Sequence, residues 1–118
     1  MRDKVSLSEK LDSFTDHWRP RIVAGYSGND IMVVRVEGAF EWHKHDDTDD
    51  LFLVLDGILD IELRDRTVTL GPGELFVVPK GVEHRPVARQ GEVRMLLIEP
   101  AGTPNAGDEA TAVEKLYL

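Results

Sequence analysis

The sequence contains no cysteine. Disulfide bonds, thiolate metal sites, iron–sulfur clusters and a cysteine nucleophile are therefore all excluded. A metal ion bound to this chain must be held by nitrogen and oxygen atoms, which the four histidines and 22 acidic residues can offer.

Long apolar runs and an excess of basic residues are also lacking. The best apolar run, residues 51–55, is far shorter than the roughly 20 residues that span a bilayer, and residues 1–6 lack the apolar segment of a signal peptide. With 14 basic against 22 acidic residues, the net charge is −8, which opposes contact with phosphate backbones and anionic membranes. We therefore expect a cytoplasmic protein that binds neither nucleic acid nor membranes.

The composition is that of a folded domain, since 42% of the residues are hydrophobic and 31% are charged. A length of 118 residues allows one hydrophobic core. Near the N-terminus, apolar residues recur every three or four positions, which predicts a helix over residues 6–18 that packs on the domain or on a second subunit. They are Leu7, Leu11, Phe14 and Trp18.

After Pro20 the chain alternates short apolar runs with turn signals such as Asp56-Gly57. Strands are predicted over residues 21–24, 31–36, 40–45, 51–55, 58–63, 66–70, 75–78, 84–88 and 93–99. Many short strands at this spacing indicate an all-β sandwich or barrel. We divide the chain into an N-terminal helical segment (1–20), a β-barrel (21–100) and a C-terminal arm packed on it (101–118), docked by Val113, Leu116 and Leu118.

Two histidines lie two positions apart, at His43 and His45. Side chains two residues apart project from the same face of a strand, so these imidazoles can share one metal ion. Asp50 and, much later, His84 are further candidate ligands. Three imidazoles and one carboxylate suit Zn, Mn, Fe, Ni or Cu and leave positions for water, oxygen or a chelating substrate. The remaining histidine, His17, is predicted to be a surface residue.

Two segments resemble the two motifs of the cupin superfamily. Residues 38–57, with both histidines of the pair, resemble the first motif, and residues 73–84 resemble the second. The chain is thus similar to small single-domain cupins. The resemblance implies a double-stranded β-helix, a jelly-roll barrel with one divalent transition metal ion in its open end. It assigns the ligands to His43, His45, Asp50 and His84.

The ligand set departs from the family pattern at one position, where the family's glutamate is Asp50. Aspartate keeps the charge and the oxygen ligand but is one methylene shorter, so the carboxylate either binds through a changed backbone position or does not bind the metal directly. Asp49 is the register alternative. At the end of the second motif, Ala88 replaces an asparagine of many members, which removes a hydrogen-bonding group and not a ligand.

Two further carboxylates are candidate catalytic proton carriers. Glu41 shares the parity of His43, and on a regular strand it would face the cavity, whereas Phe40 and Trp42 would face away. Glu99, on the last strand, falls where some cupins that ring-open sugar acids carry a working carboxylate. The alternative for Glu99 is a salt bridge to an arginine, either Arg35, Arg85 or Arg94.

The resemblance leaves three functions open. The first is a small metal-dependent enzyme of the dioxygenase, isomerase or lyase type that acts on an oxygen-chelating small molecule. The second is a non-catalytic module that binds or senses a small ligand, and the third is a metal-free structural barrel. Because members of the family are usually homodimers, we also predict a homodimer. The candidate residues for its interface are Phe14, Trp18, Ile22 and Tyr26.

Overall fold

The computed structural model describes residues 3–104 and 115–118. One short helix, α1 (Leu7–Asp12), precedes the strands. The strands are β1 (Arg21–Tyr26), β2 (Asn29–Ala39), β3 (Asp50–Asp56), β4 (Leu59–Leu63), β5 (Thr67–Leu70), β6 (Leu75–Val78), β7 (His84–Pro100) and β8 (Leu116–Tyr117). No helix within the described ranges is long and apolar enough to cross a membrane. The prediction of an all-β fold with a short N-terminal helix is confirmed.

The long strand β7 connects two layers of sheet. Its residues 84–87 pair with β4, which continues to β5, whereas residues 94–98 pair with β3, which continues to β6. Along residues 87–100, β7 also pairs with β2, and β2 pairs with β1. Of the predicted C-terminal arm, Leu116 lies in β8, which adds to β1 in parallel, and Val113 lies outside the described residues.

Alternation of side chains along the strands builds the core. On β3, Phe52 and Val54 are buried with Asp50, while the residues between them are partly exposed. On β4, Leu59 and Ile61 are fully buried. These side chains belong to the main core between the layers, and a smaller cluster lies between α1 and the outer face of the sheet, formed by Leu11, Phe14, Val23 and Val33. One strand face thus carries both core residues and the carboxylate of Asp50.

The helix is shorter than predicted, because contacts with the barrel replace its later turns. The guanidinium of Arg35 donates to the carbonyl oxygens of Leu11 and Phe14, at 3.1 and 2.6 Å. Trp18 has φ 62°, in the left-handed region, which cannot continue a right-handed helix. The apolar period therefore described Leu7 and Leu11 correctly but not the residues beyond Asp12.

The remaining histidine, His17, is half-buried at the junction of this N-terminal segment with the barrel. Its Nε2 atom lies 2.8 Å from Glu92 Oε2, and Glu92 also accepts two hydrogen bonds from Arg35. The bonds from Arg35 hold the pKa of Glu92 below its usual value, against a smaller effect of burial. His17 thus lies outside the group formed by the other three histidines.

The apolar residues that were offered for a dimer interface are mostly not on the surface. Phe14 and Ile22 are buried, and Trp18 is packed against the main core. Only Tyr26 of the four is a large exposed apolar side chain. The homodimer therefore stays a prediction without the surface that was proposed for it.

Residues 40–45, predicted as a strand, do not form one. Strand β2 ends at Ala39, after a register shift between Val36 and Gly38, where Gly38 has φ 77°. After this shift the ladder with β7 continues only through Gly38 and Ala39. Further along, the backbone makes an isolated bridge, in which His43 N donates to His84 O at 3.0 Å and His84 N donates to His43 O at 2.9 Å. Side chains of residues 40–45 therefore do not alternate between two faces as they would on a regular strand.

One glycine of the turn after β3 is required by a close backbone contact. Gly57 has φ 90°, and a Cβ atom there would lie 2.7 Å from the carbonyl oxygen of Glu92. Gly73 has a similar φ of 81° but nothing within 4 Å of an added Cβ. We predict that Gly57→Ala lowers the free energy of unfolding by about 3 kcal/mol and Gly73→Ala by about 1 kcal/mol.

Urea unfolding of both variants measures this difference. The left-handed conformation contributes to both losses, so the excess in Gly57→Ala isolates the steric contact with Glu92. Equal losses in the two variants would show that the backbone around Gly57 relaxes freely.

Candidate metal centre

Four side chains from separate parts of the chain converge between the layers. Asp50 is the first residue of β3, His84 is the first residue of β7, and the irregular segment before β3 supplies His43 and His45. One ligand atom from each lies within 4.8 Å of the others. Their side chains are only 9%, 1%, 5% and 4% exposed, respectively. The structure thus brings together all four residues that were predicted as metal ligands.

Backbone carbonyl groups fix the orientation of two of the imidazoles. His43 Nδ1 lies 3.0 Å from the carbonyl oxygen of Glu41, and His84 Nδ1 lies 2.8 Å from that of Val82. A carbonyl oxygen can only accept, so each Nδ1 carries the hydrogen, and in the neutral ring Nε2 is left with a lone pair. Metal-ligating histidines are typically held in this way.

The carboxylate of Asp50 lies at the centre of the cluster. Its Oδ2 atom is 2.9 Å from His84 Nε2, 3.2 Å from His45 Nε2 and 4.0 Å from His43 Nε2. His84 is held through Nδ1 by the Val82 carbonyl and faces this negative oxygen with Nε2. A proton or a cation between the two atoms makes the contact attractive. His45 Nε2 is also buried and forms no well-aligned hydrogen bond.

These distances fit a bound ion. Atoms that each lie about 2.0–2.2 Å from one metal are separated from each other by roughly 3–4 Å. Three imidazole nitrogens and a carboxylate oxygen, without sulfur, are a donor set for a divalent transition metal ion. The cluster is therefore a candidate metal centre with its protein ligands already close together.

The charges of the cluster are set by burial and by mutual contacts. Burial lowers the pKa of His43 to about 4, so this imidazole is neutral at neutral pH. Burial also acts to lower the pKa of His45, but its contact with Asp50 and the charge of Asp50 outweigh burial and raise that pKa. For Asp50, burial opposes ionisation, but the contacts with His45 and His84 outweigh it and lower the pKa to about 2. The carboxylate is thus ionised and attracts a positive charge into the cluster.

A small cavity adjoins the cluster. It offers about 40 Å³ of space to water-sized molecules, and His43 and Asp50 form part of its wall. The other polar residue of its lining is Glu99. The rest of the lining is apolar and consists of Trp18, Pro20, Val34, Val36, Phe40, Phe52, Pro86, Met95 and Leu97. Phe40, which was predicted to face away, lines the cavity because the strand through it does not form.

The comparisons with known proteins identify this architecture. A family model described as the cupin domain matches residues 30–99. The chain belongs to the cupin family. A cupin-2 domain containing protein from Shewanella frigidimarina superposes with a TM-score of 0.80 at 44% identity, over 81% of this cupin and 93% of that chain. The predicted jelly-roll cupin barrel is confirmed.

Other relatives are more distant or shorter matches. KdgF from a Halomonas species superposes at 26% identity with a TM-score of 0.60, over 67% of this cupin and 74% of that chain. The uncharacterized protein YdbB of Bacillus subtilis is 43% identical over 49 residues, which are 41% of this cupin. The match covers 43% of the length of YdbB, so the chain spans less than half of this curated relative.

An aromatic stack connects the candidate metal centre of this cupin to the N-terminal segment. The indole of Trp18 stacks on Phe40 with ring centroids 5.0 Å apart, and Phe40 meets His43 edge to face at 5.2 Å. The left-handed backbone of Trp18 is held by a bond from its N to Arg35 O and one from its Nε1 to Glu37 O, both at 2.9 Å. The N-terminal segment thus forms one wall of the cavity, which the helical prediction did not foresee.

The structure separates the two candidate proton carriers. Glu41 is exposed and is not part of the cavity lining, because residues 40–45 do not continue the strand, and only its carbonyl oxygen contacts the site. Glu99 lines the cavity and is 5% exposed. Its cationic partner is Lys115, from the C-terminal arm, and none of the three arginines that were considered. The arginines pair with other carboxylates, those of Glu92, Glu62 and Asp12.

The two neighbouring aspartates have different partners. Asp49 Oδ1 accepts a hydrogen bond from the backbone N of Lys80 at 2.9 Å, which connects the segment before β3 to the turn after β6. Asp50 pairs with Val78 in the β3–β6 ladder and turns its carboxylate to the histidines. The side chain of Asp50 therefore reaches the cluster, and that of the register alternative Asp49 does not.

Proposed function

We propose that this cupin binds one divalent transition metal ion through His43, His45, Asp50 and His84 and is a small metal-dependent enzyme. Its substrate would be a small molecule with a pair of chelating oxygens. The observation that carries the proposal is the contact of His84 Nε2 with Asp50 Oδ2 at 2.9 Å. Since Nδ1 of His84 is held by the Val82 carbonyl, its Nε2 atom and Asp50 Oδ2 are left to bind a cation between them.

The chemistry would be divided between the ion and the residues around it. A bound divalent ion would supply Lewis acidity, and with a redox-active metal also electron transfer. The carbonyl groups of Glu41 and Val82 orient the imidazoles, and the apolar lining excludes water. Glu99 is the carboxylate placed to hold a proton. Burial raises the pKa of Glu99, against the opposing hydrogen bond from Lys115, so a proton on Glu99 is favoured more than on an ordinary glutamate.

A non-catalytic cupin that binds a small ligand is the second candidate. The contact with Lys115 favours it, because Lys115 donates to both Glu99 and the carbonyl oxygen of Thr103. A carboxylate engaged in this way is less free to exchange protons with a substrate. The two candidates share the metal and the cavity but differ in turnover.

Metal content is the first test of the proposal. We expect the purified wild-type protein, dialysed against zinc, to retain one equivalent by elemental analysis and His45→Ala to retain little. His17→Ala is the matched control, since His17 is bonded to Glu92 outside the cluster, and it should retain one equivalent. A full equivalent in His45→Ala would contradict the assignment of the site.

Turnover separates the enzyme from the binding module. The metal-loaded wild-type protein is incubated with a bacterial small-molecule extract, and component depletion is followed by mass spectrometry. We expect depletion of at least one component by the wild type and its loss in Glu99→Gln, which keeps the metal. Stoichiometric capture of a component without conversion would support the binding module instead.

A further inference from the structure

The lining of the cavity indicates which ligand the metal centre takes. We infer that this ligand presents an uncharged, apolar body to the cavity and only its chelating oxygens to the four metal ligands. The inference rests on the proposed function for the chelating oxygens and on the lining for the body. It distinguishes short aliphatic or flat unsaturated molecules from sugars, phosphorylated compounds and dicarboxylates.

The cavity has almost no groups that could recognise polar atoms. Of the twelve residues that line it within the described ranges, nine are apolar, and the polar ones are His43, Asp50 and Glu99. The only polar atom of the Trp18 side chain, Nε1, already donates a hydrogen bond to the carbonyl oxygen of Glu37. A ligand hydroxyl buried among these side chains would lose its hydrogen bonds to water without replacement, which costs roughly 1–3 kcal/mol for each group. A polyhydroxylated body is therefore rejected.

The charges around the cavity also disfavour a ligand whose body is anionic. Glu99 and Asp50 are both acidic, and the chain has a net charge of −8. The cation near the lining, Lys115, is 12% exposed and is occupied by Glu99 and by the carbonyl oxygen of Thr103. A phosphate or a second carboxylate would have to break this buried pair to obtain a counter-charge.

The shape of the cavity limits the size of the body. The space open to water-sized molecules is about 40 Å³, close to the volume that one or two water molecules occupy in the liquid. Aromatic rings bound it at Trp18, Phe40 and Phe52, where the first two are stacked. Such walls favour a body of a few carbon atoms over a larger or hydrated one.

Titration with hydroxamates of different bodies tests the inference, since the chelating head is identical in all of them. Isobutyrohydroxamate, the succinate monohydroxamate and a gluconate-derived hydroxamate are titrated by calorimetry into protein whose zinc content has been measured. We expect isobutyrohydroxamate to bind at least about tenfold more tightly than either of the others. Equal or tighter binding of the succinate or gluconate compound, or binding of none of them to zinc-loaded protein, would overturn the inference. Lack of zinc in the wild type would overturn the proposed function with it, so the two failures differ in the zinc measurement.

A pair of variants on one strand keeps the test independent of folding. Leu97 lines the cavity, and its neighbour Leu96 projects to the opposite face of β7. Leu97→Gln puts an amide into the cavity, and we expect it to weaken isobutyrohydroxamate about tenfold while the zinc content is unchanged. Leu96→Gln should leave both values as in the wild type. An unchanged affinity in Leu97→Gln, or an equal loss in Leu96→Gln, would count against an apolar subsite at this wall.

Discussion

Asp50→Asn is expected to lower the affinity of the cupin for zinc at least about a hundredfold. The carboxylate oxygen of Asp50 lies between His84 and His45, at 2.9 and 3.2 Å from their Nε2 atoms, and supplies the only negative charge of the ligand set. Loss of a partner that merely supports a metal ligand typically costs 10–100-fold in metal affinity, so loss of a charged ligand should cost at least the upper value. Competition with a chromophoric zinc chelator measures the affinity.

The metal-free form of this variant should remain folded. An asparagine amide at position 50 can keep a hydrogen bond to His84 Nε2. We therefore expect metal-free Asp50→Asn to unfold cooperatively, at a lower melting temperature than the metal-free wild type, because the contacts with His45 and His84 stabilise the ionised carboxylate. Asp49→Asn is the control, because Asp49 bonds to Lys80 N and not to the histidines. Retention of wild-type zinc affinity by Asp50→Asn would show that three histidines alone form the site.

The four candidate ligands could be predicted from the sequence, although one geometric argument for them was wrong. Strand parity was used to place His43 and His45 on one face. In the structure these residues follow the end of β2, and His43 is positioned by its backbone bridge to His84. The site could still be predicted, because the types and the spacing of the side chains in the two motifs identify the candidate ligands. This identification does not require a regular strand between them.

Strand parity predicts the direction of a side chain only where the strand is regular. Glu41 would face the cavity only if β2 continued through His43, but β2 ends at Ala39, two residue pairs after its register shift. Glu99 needed no such assumption, since β7 is regular there and pairs with β2 through Asp30. The irregular end of β2 is therefore the reason that Glu99 lines the cavity and Glu41 does not. In the sequence this irregularity is marked by a glycine, Gly38.

Contacts between segments that lie far apart in the chain could not be predicted from the sequence. Lys115 approaches Glu99 because β8 adds to β1 in parallel, and a two-residue strand leaves too little pattern to be recognised. Trp18 fits the helical period of the N-terminal segment, yet bonds to Arg35 and Glu37 hold it in a left-handed conformation at the cavity. In both places tertiary contacts outweigh the local preference of the chain.

Zinc is expected to raise the melting temperature by about 15 °C at pH 7.5 and by only a few degrees at pH 5. Free zinc at about a thousand times its dissociation constant stabilises the folded state by ~4 kcal/mol, and ~1 kcal/mol shifts the melting temperature of a domain of this size by about 4 °C. Each ligand must be deprotonated to bind. His43, with a pKa of about 4, and Asp50, with a pKa of about 2, stay in their binding forms down to pH 5.

The proton that competes with zinc is therefore expected on His45, whose contact with Asp50 raises its pKa against the effect of burial. Below that pKa, each further pH unit should reduce the zinc affinity at least about tenfold. In the metal-free protein the raised pKa of His45 has the opposite effect on stability. Its contribution to the free energy of unfolding is fully present below the unfolded-state pKa and is lost as the pH rises through the folded-state pKa. The lowered pKa of His43 removes stability as the pH falls from about 6.5 to about 4.

Melting curves with zinc and with chelator between pH 5 and pH 8 distinguish these effects. Because His45 and His43 act in opposite directions on the metal-free fold, the curve with chelator should vary little with pH, while the zinc-dependent increment should collapse toward pH 5. An increment that persists undiminished at pH 5 would mean that zinc is held without displacing a proton from His45. The imidazole of His45 would then lie outside the metal's coordination sphere, and the buried Nε2 atom would need another partner.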